Sequence, residues 1–142
     1  MTSLLRCLLG IVTVLPLLGC TPSARPGVTT TGTVTVDGQP LSGAVLTLEP
    51  INETTGPNAS VPVLGGRFEI DASAGLHGGD YRARVSMIPA EIRASIPATA
   101  GYELPPPSAV IDPAFDGDSQ LKCHLTPDDD NPLEFAVRFL AR

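Results

Sequence analysis

The chain has 142 residues, enough for one domain, and carries a net charge of −6 with only nine scattered basic residues. No basic stripe is present to follow a phosphate backbone, which argues against nucleic-acid binding. With 15 Pro and 14 Gly the composition favours short strands and many turns over long helices, and with no Trp, two Tyr and four Phe the core must rest on Val, Leu and Ile.

Met1 to Arg6 is a short n-region with one positive charge, and Cys7 to Leu18 is an apolar run broken only by Gly10, Thr13 and Pro16. This run is shorter than the roughly 20 residues a bilayer span requires, but it suits the h-region of an export signal. It ends in Leu17-Leu18-Gly19-Cys20, followed by polar Thr21-Pro22-Ser23. These four residues resemble the bacterial lipobox, in which a cysteine thiol is acylated and the chain is cut just ahead of it. Gly19 supplies the small residue at the cut and Cys20 the nucleophile. Leu18 is a less usual residue at its position, and an ordinary secretory signal cut nearby is the alternative.

Residues 1–19 are therefore read as a lipoprotein signal, Cys20 as the lipid-attachment site and 20–31 as a flexible tether. Arg6 is the one charged residue among the first twenty, so the remainder carries eight basic against fifteen acidic residues, a net −7. Of three cysteines, Cys7 leaves with the signal and Cys20 takes the lipid. Cys123 is then alone, and the fold cannot be stapled by an internal disulfide.

From residue 32 to 142 the pattern is that of a β domain. Gly32–Val36 is a β-branched strand, Asp37-Gly38 a turn, and Ala44–Glu49 a second strand with Leu46 and Leu48 on one face and a stop at Pro50. Ile51–Ser60 is a polar loop in which Asn52-Glu53-Thr54 and Asn58-Ala59-Ser60 fit the glycosylation sequon, a pattern without consequence in a bacterial lipoprotein. Val61–Leu64, Gly65-Gly66 and Arg67–Ile70 read as a second hairpin with Phe68 and Ile70 inward. Tyr81, Ala83 and Val85 alternate with Arg82, Arg84 and Ser86.

Met87–Ala109 is proline-rich and aperiodic, with one helical turn expected over Glu91–Ser95. Its length is unusual for a compact domain, and it is the expected partner surface. Leu121, Cys123 and Leu125 alternate with Lys122 and His124. After the Thr126–Pro132 turn, Leu133, Phe135, Val137 and Phe139 alternate with Glu134, Ala136 and Arg138. About seven strands with turns at short intervals predict an all-β, antiparallel sandwich.

Gly32-Thr-Val-Thr-Val-Asp-Gly-Gln-Pro-Leu-Ser-Gly-Ala-Val-Leu-Thr-Leu-Glu-Pro50 resembles the opening hairpin of carboxypeptidase regulatory-like, transthyretin-related domains. Gly66–Ile70 is similar to their second hairpin, Gly78–Val85 to the following strand and Pro127–Val137 to the closing turn and strand. Leu64-Gly65 stands where an Asp-rich turn is common. The resemblance implies a prealbumin-like (transthyretin/Ig-like) seven-stranded sandwich, a non-catalytic accessory module, and membership among short lipoproteins of planctomycete-type bacteria.

No catalytic, cofactor or metal residues are expected. No nucleophile elbow, phosphate loop or HExxH helix occurs. His77 sits among glycines in a turn. Cys123 and His124, adjacent on a strand, face opposite ways and cannot share an ion, so Cys123 reads as a core residue. Asp112, Asp116 and Asp118, and likewise Asp128–Asp130, suit calcium chemically. Neither group matches a calcium loop, and turn-forming aspartates are the preferred reading.

Two function classes remain. The first is a non-catalytic cell-envelope lipoprotein, membrane-anchored through Cys20, whose domain binds an envelope protein or polymer or serves structurally. The second is a transthyretin-like small-molecule hydrolase, which the terminal Phe139-Leu140-Ala141-Arg142 does not fit. A secreted, non-lipidated adhesion domain is the variant of the first class without the anchor.

Overall fold

The computed structural model describes residues 26–97, 101–127 and 130–141. The expected signal 1–19, with Cys7, and the expected lipid-attachment residue Cys20 lie outside the described residues, as do Asp128 and Asp129. The described chain is mostly β-strand, arranged in two antiparallel-rich sheets around one apolar core.

In the first sheet, β1 (Thr30–Val36) is central. Along one edge it pairs with two antiparallel strands in succession, β5 (Arg67–Ile70) against Thr30–Thr33 and the two-residue β2 (Gln39–Pro40) against Thr35–Val36. Along the other edge it pairs in parallel with β8 (Asn131–Val137) over its full length. The second sheet is wholly antiparallel, in the order β4 (Ala59–Val63), β3 (Ala44–Pro50), β6 (Gly79–Met87), β7 (Lys122–Leu125).

Local chemistry accounts for the elements. Asp37 and Gly38 both take left-handed φ, 49° and 79°, the geometry that joins two strands without splaying them. Gly32 lets its neighbours close in, for a Cβ there would stand 2.1 Å from the Leu133 carbonyl oxygen and 2.7 Å from the Phe68 ring. The two-residue periodicity then sorts side chains as expected. Leu46, Leu48, Phe68, Ile70, Tyr81, Ala83, Val85, Phe135 and Val137 are buried, while Arg67, Glu69 and Glu134 are exposed. Phe68 and Phe135 stack with centroids 6.2 Å apart across β1.

Several buried side chains find hydrogen-bond partners, some of them far away in sequence. The Thr30 hydroxyl donates to the Asn131 carbonyl at 2.6 Å, and the Asn131 amide donates to the Thr29 and Thr126 carbonyls at 3.2 and 3.1 Å. Tyr81 is fully buried; its hydroxyl accepts from the His77 N–H at 3.0 Å and donates to the His77 carbonyl at 2.9 Å.

Four expectations change. The closing strand β8 lies parallel to β1, because the long crossing from the second sheet delivers it to the free edge of β1 in the same direction. Val61–Leu64 and Arg67–Ile70 do not form a hairpin. Leu64 and Arg67 make one bridge, after which β4 continues into the second sheet and β5 into the first. The described strands number eight rather than seven, the additional one being β2. The expected tether 20–31 ends too late, since Val28 is buried with its N–H on the Leu76 carbonyl and β1 begins at Thr30.

On the solvent face of the second sheet, Glu49 accepts from the guanidinium groups of both Arg82 and Arg84, and Arg84 also reaches Asp116. The hydrogen bonds from Arg82 and then Arg84 hold the Glu49 carboxyl below the ordinary carboxylate range. A lowered folded pKa stabilises the fold above the unfolded value and is lost as pH falls through the folded one. Glu49→Gln should therefore cost up to about 1 kcal/mol at neutral pH. The difference from wild type should close as pH falls below about 4.5, read by urea denaturation across pH.

The core register gives a sharper contrast. Phe135 is 7% exposed, and Phe135→Asp should abolish the cooperative transition because an unpaired carboxylate cannot be buried there. Glu134→Ala should shift stability by no more than about 0.5 kcal/mol.

Candidate binding surface

The two ends of the domain differ in character. At one end the chain enters: Val28 bonds Leu76, a Cβ on Gly75 would lie 3.6 Å from Pro57, and Asn131 ties the β7–β8 connection to Thr29. Polar turns make up this end, with Asn52 and Glu53 both at left-handed φ and Asp71 capping Ala72–Ala74. The opposite end gathers the 37–43 segment, the Gly65-Gly66 corner, the long 88–111 connection and the 138–140 tail. It is joined by the bonds Ile88 N–H to Gly43 carbonyl and Leu140 N–H to Val110 carbonyl.

Where it is described, over 88–97 and 101–111, the connection is built rather than loose. Its helical turn α1 spans Ala90–Arg93, close to the expected Glu91–Ser95. Arg93 is only 4% exposed, and its guanidinium donates to the Pro107, Pro106 and Pro105 carbonyls at 2.8, 3.3 and 3.5 Å. Proline offers a carbonyl and no N–H, so three consecutive prolines present acceptors without the donors that a regular ladder exchanges. The planar fork of arginine supplies the donors. The Arg93 stem passes over Gly43, where an added Cβ would meet its Cδ at 2.9 Å and Leu104 Cδ2 at 3.3 Å.

Gly65 has a second such role. Its φ of 60°, with 73° at Gly66, makes the tight corner between sheets, and a Cβ on it would stand 2.8 Å from the Tyr102 ring. The Leu64-Gly65 pair therefore both turns the chain and seats an aromatic ring.

Against this frame lie two adjoining apolar grooves. One, about 460 Å³, runs between Val36, Pro40 and Gly65 on one side and Tyr102, Leu104 and Pro105 on the other. The next, about 510 Å³, is lined by Ser108, Val110 and Leu140, and shares Pro106 and Phe139 with the first. Among the described residues, the exposed large hydrophobic side chains are Ile92, Tyr102, Val110 and Leu140, all at this end. Part of the expected partner surface 87–109 thus lines the grooves, extended by Val110 and the 139–140 tail. Residues 98–100 of that stretch lie outside the described ones.

The singled-out reactive residues are not brought together. His77 Nδ1 lies 3.1 Å from the Thr55 hydroxyl at the entry end. His124 pairs with Asp80 at 2.7 Å on the solvent face, the opposite face from Cys123. Asp112 takes the Ala114 N–H and pairs with Arg138, Asp116 pairs with Arg84, and Asp118 is exposed. Among the described residues no group of three or more His, Cys, Asp or Glu is placed to hold a metal, and no helix is long and apolar enough to cross a membrane. No protein-family model, curated protein or solved structure matches the chain.

The residues that sequence reasoning passed over are Arg93 and Tyr102, and Gly65 was read as a turn without its contact to the Tyr102 ring. One signal existed, a lone arginine twelve residues ahead of three consecutive prolines, but nothing in the local pattern says that it turns inward.

Arg93→Met keeps the stem and removes the donors. It should cost about 1–3 kcal/mol and speed proteolytic cleavage within 101–111, while the β-sheet circular dichroism is retained. Cys123, opposite Tyr81 in the ladder, is partly buried, and burial together with the nearby Asp80 pushes its thiol up to about 11. It should label slowly at pH 8 in the native protein and quickly in denaturant, the contrast being read by mass spectrometry.

Proposed function

We propose that this chain is a non-catalytic lipoprotein of the cell envelope, held at the membrane by a lipid on Cys20. On this reading its β domain is a binding module of the carboxypeptidase regulatory-like, prealbumin type. The observation that carries it is the built apolar surface at the end opposite the chain entry, where a buried arginine orders a proline-rich connection. A surface so exposed, apolar and fixed suits association with another molecule.

Support comes also from what surrounds that surface. His124 pairs with Asp80, Asp112 with Arg138 and Asp116 with Arg84, so these side chains serve separate local ion pairs. The opening Gly32–Pro50 segment, with its left-handed Asp37-Gly38 turn, agrees with the prealbumin-type resemblance. The parallel β1·β8 pair closes the first sheet.

A lipid is the anchor that the charge permits. The mature chain's −7 opposes adsorption to an anionic bilayer, whereas buried acyl chains contribute about 0.8 kcal/mol per methylene. The mature N-terminal peptide should begin at Cys20 with added acyl mass, and the protein should sediment with membranes. Cys20→Ala should block both the acylation and the cut, leaving a precursor. An unmodified terminus at another residue, with the protein in the soluble fraction, would sink the anchor and leave simple secretion.

A further inference from the structure

We propose that the end of the domain opposite the chain entry docks an extended, basic and apolar segment of another protein. This rests on the binding-module reading and names the partner's chemistry.

The form of the site points to an extended segment. Two grooves of about 460 and 510 Å³ meet at Pro106 and Phe139, so the apolar floor is a trough that continues past a single cavity. Tyr102, 41% exposed, stands at one groove, and Val110 and Leu140, 54% and 50% exposed, line the other. Such spacing offers separate anchor positions to the side chains of one passing strand. The walls are already ordered, by Gly65 beneath Tyr102 and by Arg93 under the three prolines, so little entropy is lost on docking.

The charge of the site selects the occupant. Glu103 is the one charged residue lining either groove, and the mature chain carries −7. A partner with Lys or Arg beside its apolar anchors meets Glu103 and is drawn by the field of the whole domain.

The bilayer is an unfavourable occupant. Only five residues lie between Cys20 and Pro26, a reach of roughly 20 Å, so a lipid on Cys20 keeps the entry end nearest the membrane. The grooves lie at the other end.

Pairing along the edges of β2, β4 and β8 is disfavoured as well, because Pro40, Pro62 and Pro132 interrupt their donor rows. The apolar trough offers a partner side-chain contacts instead.

The test is selection of a phage-displayed random dodecapeptide library on the full chain, purified in detergent. The expected result is a consensus with at least one Lys or Arg beside two apolar or aromatic residues. A synthetic peptide of that consensus should lose roughly tenfold or more in affinity for Tyr102→Ser. Glu103→Lys, on an exposed side chain that folding does not need, should exchange the selected basic residue for Asp or Glu.

Absence of any consensus, or a charge preference that Glu103→Lys leaves unchanged, overturns the proposal. So does concentration-dependent dimerisation lost in Tyr102→Ser, which would assign the face to a second copy, or binding on a glycan array lost in the same variant. None of these readouts depends on the lipid. Failed selection with an acylated N-terminus removes the docking partner alone, whereas successful selection with an unmodified N-terminus removes the anchor alone.

Discussion

The parallel pairing of Thr30–Val36 with Asn131–Val137 joins the first strand of the domain to the last, and the other features depend on it. Parallel neighbours cannot be closed by a tight turn, so a long connection must separate them, and here the whole second sheet lies within it. The return places Val137 beside Val36 and carries the tail 138–140 to the far end, where Leu140 bonds the Val110 carbonyl. The Thr30 hydroxyl and the Asn131 amide seal the start of this pair in a buried setting, where an unmet polar group would be costly. With Cys123 the one free thiol among the described residues, the closure relies on packing and hydrogen bonds.

That pairing also marks how far the sequence could be read. Alternation names the face of each strand, and it does so correctly for Leu46 and Leu48, Tyr81 to Val85, and Phe135 and Val137. Alternation is identical for parallel and antiparallel neighbours, so the direction of β8 was not legible. The Gly65-Gly66 corner shows the same limit in another form. A left-handed pair of glycines looks like a hairpin turn in one dimension, and one hairpin-like bridge does form between Leu64 and Arg67. Whether the strands then stay together depends on which neighbours wait in each sheet, β3 for Ala59–Val63 and β1 for Arg67–Ile70. The candidate surface was legible only as a place, the aperiodic proline-rich stretch. Its chemistry depends on Arg93 and Tyr102, whose partners are the Pro105–Pro107 carbonyls and Gly65, fixed by the fold rather than by adjacency.

Proline has three distinct uses in this chain. On strands it sits at edges, in β2, β4 and β8, apart from Pro50 at the end of β3, so the central strands keep their donors. An edge so interrupted resists pairing with another chain, which matters for an all-β domain lacking the closure of a barrel. In the 88–111 connection, proline instead narrows the conformations open to a long loop. In Pro105-Pro106-Pro107 it supplies a run of carbonyls to Arg93.

That last use resolves an apparent conflict in the energetics. A cation that is 96% buried ordinarily costs several kcal/mol unless its charge and its donors are met. No carboxylate ion pair with Arg93 exists among the described residues, and its Nε is buried without a hydrogen-bond partner. The compensation comes from the three carbonyl oxygens of Pro105, Pro106 and Pro107, whose partial negative charge faces the guanidinium, and from the apolar packing of the stem over Gly43 and beside Leu104. A lysine in the same place would bring a compact, strongly hydrated ammonium with fewer donors and a larger desolvation cost. The arginine thus turns a segment with little capacity for its own secondary structure into a fixed wall. A trough with a fixed wall can discriminate among partners, because a ligand that does not fit cannot be accommodated by letting the loop rearrange.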